Sequence, residues 1–190
     1  GVVSDFGDPA GELAAATNAT VMTPLTHLAL LSCSGDDATS FLQNQLTSDV
    51  NHLEATAAQH SAWCTAKGRM LASLLLYRSG GAYRALLCAD LLAATRKRLQ
   101  MYVLRSKVVI SDASDRYALI GLSGPQAAQA LTDAGLPAPA AALATATFAD
   151  GEVIRLDDQR YLLVVADAAA TTRWTQLAAV ARPVGTPVWQ

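Results

Sequence analysis

The amino-acid sequence predicts an α+β fold built from two halves with the same order of elements. Two internal echoes support this prediction: residues 29–42 return as residues 118–131, and residues 85–96 return as residues 162–173. In each echo an apolar strand pattern leads into the start of a helix. Because the two echoes occur in the same order, they indicate a duplicated supersecondary unit.

The composition is that of a chain able to bury a sizeable core. Of its 190 residues, 52% are hydrophobic and 16% are charged. No apolar stretch approaches the roughly 20 residues that a membrane-spanning helix needs, so we expect no membrane association. The formal net charge is −2, and the basic residues are dispersed apart from Arg96, Lys97 and Arg98. Direct nucleic-acid binding is therefore not expected.

The three cysteines favour a reducing, intracellular setting. Cys33, Cys64 and Cys88 are odd in number and contain no C-x-x-C spacing, which argues against a disulfide framework and against a zinc site. The positions that echo Cys33 and Cys88 are Leu122 and Val165, so we expect these two cysteines to be small buried core residues. A cytoplasmic location is the resulting expectation.

The first half follows residues 1–23, which we interpret as a loosely packed lead-in. Residues 28–33 predict a strand, and Ser34 and Gly35 predict a turn. The turn could offer its free N–H groups to an anion, but its repetition in the second half favours a capping role. Apolar residues then recur at helical spacing: Ala38, Phe41, Leu42 and Leu46.

Three glycine-separated strands come next and predict an antiparallel meander: residues 57–66, 69–77 and 82–88. Asp90 is the predicted N-cap of a helix that has Tyr102 among its inward residues and Arg98 on its outward face. A strand at residues 107–111 closes this half.

The second half repeats this order in shorter form. A strand at residues 116–121 is followed by a Ser-Gly turn and a helix with Pro125 at its first position and Gly135 at its C-terminal cap. Asp167 is the predicted cap of the last helix, and residues 183–189 form a final extended piece. The three intervening strands are predicted at residues 145–148, 153–156 and 161–165.

Each half is therefore a β-α-β-β-β-α-β unit, which resembles a ferredoxin-like unit with an extra hairpin strand and an antiparallel sheet. We place the lead-in at residues 1–23, the first ferredoxin-like half at residues 24–113 and the second at residues 114–190. No catalytic motif and no metal-ligand spacing are present in the sequence. We therefore assign no catalytic residue and no metal. Among the histidines, His52 is interpreted as a surface residue.

Three longer words in the first half are informative: FLQNQLTSDV at residues 41–50, WCTAKGRM at residues 63–70 and VLRSKVVISD at residues 103–112. At this separation they resemble the YgfZ-type members of the folate-binding GcvT superfamily, which includes glycine-cleavage T-protein. The resemblance is strong over residues 24–112 and rests on the order of elements elsewhere.

The resemblance implies a tetrahydrofolate-binding fold of two ferredoxin-like halves, followed in complete members by a small β-barrel. It also implies a role in supporting iron–sulfur enzymes or their assembly machinery, including radical enzymes that modify tRNA. The family word K-G-C-Y-x-G-Q-E does not occur in this sequence. We therefore expect the chain to be a fragment that lacks the motif region and the barrel.

One departure from T-protein concerns its chemistry. T-protein carries paired aspartates on the strand after the glycine turn, and one of them assists transfer at the folate nitrogen. The matching positions here are Ala72 and Ser73. Neither side chain is a base at neutral pH, so aminomethyl transfer is disfavoured.

The candidate folate contacts follow from the resemblance and from the needs of a flat, hydrogen-bonding pterin with an anionic tail. Lys67 and Arg69 are candidates for meeting a carboxylate, although Lys67-Gly68 also fits an ordinary hairpin turn. Trp63 fits a core aromatic residue in an alternating strand equally well. The full candidate set is His27, Leu28, Gln45, Asp49, His60, Trp63, Lys67 and Arg69.

Two functions from different classes remain open at this stage. The leading one is a tetrahydrofolate-binding accessory protein, with the folate or a one-carbon derivative of it as cofactor and iron–sulfur enzymes as partners. The alternative is a folate-dependent aminomethyltransferase or another one-carbon transferase. Whether the chain is an enzyme is left open, with a binding role preferred.

Overall fold

The structure is a computed structural model that describes residues 2–189 and divides into two compact units. One, the inserted unit, runs from His27 to Ser114. The other, the outer unit, consists of the chain up to Thr26 together with the chain from Asp115 onward. The chain therefore leaves the outer unit, forms the inserted unit and then returns to complete the outer unit.

The helices and strands in chain order are α1 (Pro9–Asn18), β1 (Val21–Pro24), β2 (Leu28–Ser34), α2 (Ala38–Gln45), β3 (Ala58–Cys64), β4 (Met70–Ser79), β5 (Ala82–Cys88), α3 (Ala89–Val103), β6 (Val109–Asp112), β7 (Tyr117–Ser123), α4 (Ala127–Asp133), β8 (Thr145–Phe148), β9 (Gly151–Arg155), β10 (Arg160–Ala166), α5 (Asp167–Ala178), β11 (Arg182–Pro183) and α6 (Thr186–Trp189).

The inserted unit is one antiparallel sheet with α2 and α3 on a single face. Its strand order is β3-β4-β5-β2-β6. Alternate residues of β2, Ala29, Leu31 and Cys33, join a core that also contains Phe41 of α2 and Leu99 of α3. Leu30, between these residues, is buried on the other face, so β2 is an apolar strand buried on both sides rather than an alternating one.

The outer unit repeats this wiring and adds one strand. Its sheet has the order β11-β1-β7-β10-β9-β8, so β7 to β10 take the places that β2 to β5 hold in the inserted unit. Next to β7 the position corresponding to β6 is occupied by β1, which comes from before the inserted unit. Strand β11 pairs with β1 in parallel at the edge. The predicted α+β fold with two similarly wired halves is confirmed.

The two Ser-Gly turns are also equivalent in geometry. Gly35 and Gly124 have φ values of 117° and 132°, and the carbonyl of each accepts a hydrogen bond of 3.1 Å from the residue three positions later. A Cβ atom on Gly35 would overlap the carbonyl oxygen of Lys107, and one on Gly124 would overlap that of Ala19. Both turns therefore need glycine for its backbone freedom and for its lack of a side chain.

The N-terminal segment differs from the expected loose lead-in. It contains helix α1, which Asp8 caps by accepting a 3.1 Å hydrogen bond from the amide of Gly11. It also contains β1, where Val21 and Met22 are buried. At four residues, β1 is too short to be distinguished from a loop by its sequence pattern alone.

The predicted helix starts are shifted by one or two residues. Asp90 and Asp167 lie in the first turns of α3 and α5 and make no side-chain cap. A carboxylate in the first turn still interacts favourably with the helix dipole, so the residue type was informative although its position was not. Pro125 precedes the first residue of α4, Ala127, by two positions.

The final piece, predicted as extended, is only partly so. Strand β11 ends at Pro183, and Thr186–Trp189 forms the short helix α6. The Trp189 ring lies so close to Gly121 that any side chain there would contact it. This packing was not predictable from the local sequence. Among residues 2–189, no helix is long and apolar enough to cross a membrane, and no cluster of His, Cys, Asp and Glu could hold a metal ion.

Candidate functional site

The eight candidate residues all lie in the inserted unit, but they do not form one cluster. Leu28 and His60 belong to the sheet face opposite the helices, and His27 lies in the turn that precedes β2. Gln45 and Trp63 lie on the helix side. Asp49, Lys67 and Arg69 lie in exposed connections between elements.

The register of the sheet defines the face opposite the helices. His60 on β3 pairs with Leu75 on β4, Leu75 pairs with Leu86 on β5, and Leu86 pairs with Leu30 on β2. Directly paired residues of antiparallel strands project to the same side of a sheet. In this row the three leucines are buried and only His60, on the edge strand, is exposed.

Two residues farther along these strands the same face becomes accessible. Ser73 and Cys88 are exposed, while Leu28 and Ala62 are half-buried. Leu28 pairs with Cys88 and Ala62 pairs with Ser73, so all four share the face of His60. We call these four residues the open sheet end. Ala62, Ser73 and Cys88 have small side chains, and Ser73 supplies a hydroxyl that can donate and accept hydrogen bonds.

His27 precedes this open sheet end by one residue. Its carbonyl accepts a 2.9 Å hydrogen bond from the amide of Ala89, which fixes the start of β2 against the start of α3. Burial lowers the pKa of His27, so the imidazole is neutral at pH 7. Within residues 2–189 its buried Nδ1 atom has no hydrogen-bond partner. A buried polar atom of this kind is costly unless a ligand or water satisfies it.

Gln45 and Trp63 line a groove on the helix side, which we call the α2–α3 groove. It has a volume of about 470 Å³. The Trp63 side chain is only 4% exposed and is a member of the core, as the structural interpretation of this residue predicted. Its ring meets that of Tyr102 edge to face, with centroids 6.5 Å apart. The groove is lined by Asn44, Gln45, Trp63, Cys64, Thr65, Ala66, Leu71, Arg98, Met101 and Tyr102.

Asp49 lies in the exposed loop after α2. One of its carboxylate oxygens is 2.7 Å from Nδ1 of His52, and the other accepts a 3.1 Å hydrogen bond from the amide of Asn51. The hydrogen bond with His52 is the largest cause of a lowered pKa at Asp49. The loop is further held by Gln43, whose side-chain oxygen accepts from the amides of Val50 and Asn51. Asp49 therefore has a local structural partner.

Lys67 and Arg69 lie in the hairpin turn between β3 and β4. The amide of Gly68 donates to the carbonyl of Thr65 at 2.9 Å, and the amide of Thr65 donates to the carbonyl of Arg69 at 2.8 Å. These hydrogen bonds form the ordinary hairpin turn that was the alternative interpretation of Lys67-Gly68. Both basic side chains are exposed, and Thr65 and Ala66 of the same turn line the α2–α3 groove.

The two positions that match the T-protein aspartates face opposite ways. Ala72 is 2% exposed and belongs to the helix-side core. Ser73 belongs to the open sheet end. Only the second position could present a functional group to a ligand on that face, and a hydroxyl there is not a general base at neutral pH.

Residues that sequence reasoning missed include Cys88 and two residues of α3. Cys88 is exposed, whereas its echo partner Val165 is buried, so the expectation of a buried core cysteine was wrong for it. Tyr102 was expected to face inward but is 53% exposed and lines the groove together with Arg98. The spacing of four residues between Arg98 and Tyr102 was the available signal, because such residues share a helix face.

Comparison with known families and proteins gives a consistent result. A family model described as "GCVT N-terminal domain" matches residues 6–148. A "tRNA-modifying protein YgfZ" of Vibrio vulnificus is 36% identical over 141 residues, which are 74% of this chain and 42% of the relative. The protein of the same name from Klebsiella pneumoniae is 40% identical over 114 residues, 59% of this chain and 34% of the relative. The chain thus spans less than half the length of these relatives.

Solved structures extend the likeness to the fold. The glycine cleavage system aminomethyltransferase T from Bartonella henselae superposes with a TM-score of 0.84 at 20% identity, covering 94% of this chain and 51% of that one. A heterotetrameric sarcosine oxidase chain from Corynebacterium sp. U-96 superposes with a TM-score of 0.60 at 14% identity, covering 91% of this chain and 90% of that one. At these identities the likeness establishes the shared fold.

Proposed function

Because this chain belongs to the GCVT N-terminal domain family, we propose that it is the tetrahydrofolate-binding part of an accessory protein that supports iron–sulfur enzymes, including enzymes that modify tRNA. The curated relatives, each named as a tRNA-modifying protein, support the tRNA part of this proposal. The resemblance to YgfZ-type proteins supports the iron–sulfur part. A cytoplasmic location is consistent with both.

The observation that carries the folate proposal is the open sheet end beside His27. A reduced pterin presents a flat ring with hydrogen-bonding edges, and such a ring needs an apolar floor and a few polar partners. Leu28 and Ala62 offer the floor, the Ser73 hydroxyl offers a donor and acceptor, and the Nδ1 atom of His27 lacks a partner. These residues fit the ring of the folate, whose chemistry is to carry a one-carbon group.

Lys67 and Arg69 complete the proposal as candidate partners for the anionic tail. Both side chains are exposed in the turn between β3 and β4. Gln45, Asp49 and Trp63 are less suited to the same ligand. Asp49 is paired with His52, and the other two line the groove on the opposite side of the sheet.

The alternative, a folate-dependent one-carbon transferase, is disfavoured by Ala72 and Ser73. A transferase needs a group that can hold or accept a proton near the folate nitrogen, and neither residue does this at neutral pH. We therefore expect no aminomethyl transfer from a lipoyl-type donor to tetrahydrofolate. Transfer above the background of folate alone would favour the transferase.

The cysteines allow the folate site to be located without introducing a probe. Cys88 lies at the open sheet end, and Cys64 lines the α2–α3 groove. Titration with 5-formyltetrahydrofolate in a calorimeter should show binding. In parallel, the ligand should slow alkylation of Cys88 and leave the alkylation rate of Cys64 unchanged, as read by mass spectrometry of the peptides.

Two matched variants sharpen this test. Ser73→Trp fills the open sheet end and should weaken binding at least about tenfold, whereas Met101→Trp, in the groove, should change it within about twofold. Both sites are exposed, so each variant should fold. If the ligand protected Cys64 and Met101→Trp lost binding, the folate site would instead lie in the α2–α3 groove. Absence of any binding heat would overturn the folate proposal for this chain.

A further inference from the structure

We propose that the C-terminal end of α3 is a docking surface for an acidic amphipathic segment of a partner protein. The surface consists of Arg98, Met101, Tyr102, Leu104 and Arg105, and we call it the α3-end surface. It lies on the helix side of the inserted unit, away from the open sheet end. The inference is therefore independent of the folate proposal.

The first observation is a concentration of exposed apolar side chains. Met101, Tyr102 and Leu104 are 61%, 53% and 86% exposed. Single exposed apolar residues are ordinary, but these three side chains line two depressions that share Tyr102, and a contiguous exposed apolar patch marks an interaction site in soluble proteins. Methionine is favoured on such surfaces because its flexible side chain adapts to different partners.

The second observation is the shape of this region. The α2–α3 groove of about 470 Å³ is lined in part by Arg98, Met101 and Tyr102. A second depression of about 740 Å³ is lined by Asp37 and by the residues from Tyr102 to Ser106. Tyr102 belongs to both, so the two depressions adjoin. Together they offer an elongated site suited to a peptide segment.

The third observation is the backbone of Leu104. This residue follows α3 with a φ of 47° and is the most exposed large apolar residue of the inserted unit. Glycine is the usual residue where a helix ends with a positive φ, and a leucine there is strained. A strained and exposed leucine contributes little to the fold. Binding a partner is a role that accounts for both properties.

The charge of the α3-end surface indicates that its partner is acidic. Residues 91–111 contain five Lys and Arg residues and no Asp or Glu. The whole inserted unit has nine Lys and Arg against six Asp and Glu, a net charge of +3, whereas the outer unit has five against ten, a net charge of −5. An ion pair is described in this segment for Lys107, with Asp36, and none is described within residues 2–189 for Arg98 or Arg105. These two guanidinium groups complement carboxylates next to an apolar face.

The same features argue against the other occupants. A two-fold contact of the α3-end surface with itself would bring its own arginines together, which is unfavourable. Nucleic acid without a defined sequence binds through phosphate contacts and several stacking aromatic rings. Here Tyr102 is the only exposed aromatic residue of the surface, and the most exposed side chain is aliphatic. An apolar and acidic polypeptide fits both parts of the surface.

The test is a selection from a random 16-residue peptide library displayed on phage, with the wild-type chain as bait. We expect enrichment of peptides with net negative charge and apolar residues at helical spacing. Their affinity is then measured by fluorescence anisotropy with synthetic peptides. Arg98→Glu/Arg105→Glu and Leu104→Ala should each weaken binding at least about tenfold, while Arg116→Glu and Leu13→Ala, matched exposed residues of the outer unit, should stay within about twofold.

Leu104→Gly separates binding from folding. Because it removes the strain, it should unfold at an equal or higher temperature than the wild type and still lose peptide binding at least about tenfold. The proposal would be overturned if the enriched peptides bound Arg98→Glu/Arg105→Glu, Leu104→Ala and Leu104→Gly as tightly as the wild type. The absence of enrichment, tighter binding of a single-stranded RNA 12-mer than of the selected peptides, or a dimer in sedimentation velocity that Leu104→Ala dissolves would also overturn it.

Discussion

Burial alone gives the three cysteine side chains different chemistry. Cys33 is 3% exposed in the core of the inserted unit, and burial raises the pKa of its thiol to about 12. Cys88 is exposed and Cys64 is half-buried. Because the thiolate is the reactive form, accessibility and pKa both act to protect Cys33.

We expect iodoacetamide at pH 8 to alkylate Cys88 first, Cys64 more slowly and Cys33 only on unfolding. The measurement is a time course of peptide modification by mass spectrometry, with and without denaturing urea. The Cys88→Ser variant serves as a control, because the fast phase of alkylation should be missing when Cys88 is removed. Modification of Cys33 in native protein at the rate of Cys88 would contradict the burial described here.

Asp49, a candidate folate contact, is instead hydrogen-bonded with His52 in its own loop. The hydrogen bond with His52 is the main reason that the pKa of Asp49 lies below its ordinary value of 3.8. A carboxylate whose folded-state pKa is depressed stabilises the folded protein above its unfolded pKa. That contribution is lost as the pH falls through the folded-state pKa. The loop after α2 should therefore loosen in acid below about pH 4.

In the His52→Ala variant we expect the pKa of Asp49 to rise toward its ordinary value. The pKa is measured by NMR titration of the carboxylate carbon. His60→Ala removes another exposed imidazole of the same unit, one with no described contact to Asp49 within residues 2–189, and should leave the value unchanged. An equal pKa in the wild type and in His52→Ala would show that His52 is not the cause.

Gly35 in the first Ser-Gly turn and Gly68 in the hairpin turn between β3 and β4 both have a positive φ, but their surroundings differ. Gly35 combines a positive φ with close approach to the carbonyl of Lys107, whereas Gly68 has a φ of 77° and no atom within 4 Å of an added Cβ. Gly35 is therefore required for two reasons, its positive φ and its lack of a side chain, whereas Gly68 is required only for its positive φ.

Gly35→Ala should therefore destabilise the protein by at least about 2 kcal/mol, through both backbone strain and overlap with the chain at Lys107. Gly68→Ala should cost only about 1 kcal/mol, through its φ alone. The free energy of unfolding is measured in urea. If Gly68→Ala were as destabilising as Gly35→Ala, the close approach at Gly35 would have no energetic effect.

The elements were largely predictable, and the exceptions have physical causes. Strands such as β5 and β8 have the predicted bounds because alternation and glycine turns are local signals. The short helix α6 depends on Trp189 packing against Gly121, two residues far apart in sequence, so no local pattern reveals it. Strand β1 becomes a strand through pairing with β7, which is again a distant contact.

The candidate site was less predictable, because a motif does not state which face of a sheet a side chain occupies. His60 and Trp63 lie three residues apart on β3, and an odd offset places them on opposite faces. The sequence contained this information once the strand was accepted. It did not contain the burial of Trp63 or the pairing of Asp49 with His52, which depend on neighbouring elements.

At the scale of the whole molecule, Glu12 ties distant parts of the outer unit together. It is 1% exposed, and its two carboxylate oxygens accept hydrogen bonds of 2.7 Å from the amide of Phe6 and 2.8 Å from the amide of Gly185. Glu12 and Gly185 are separated by 173 positions in the sequence. This single side chain thus links helix α1 to the segment between β11 and α6.

Glu12→Ala leaves both amides without these acceptors and should destabilise the protein by about 2–4 kcal/mol. Glu12→Gln, which keeps one acceptor oxygen, should be less damaging, and Glu54→Ala, an exposed glutamate of the inserted unit, should be nearly neutral. Urea unfolding followed by circular dichroism provides the measurement. Equal midpoints for Glu12→Ala and Glu54→Ala would refute the linking role.

The passage of the chain through the inserted unit sets an order for folding during synthesis. All strand partners within the inserted unit lie between Leu28 and Asp112, so this unit is complete as soon as that stretch has left the ribosome. Val21 and Met22 of β1 must wait for β7 and β11. Met22 pairs with Leu122 of β7, 100 positions later, so at about 5–20 residues per second this partner is translated roughly 5–20 seconds after Met22. During that time the apolar side chains of β1 remain uncovered on the nascent chain and are available to chaperones.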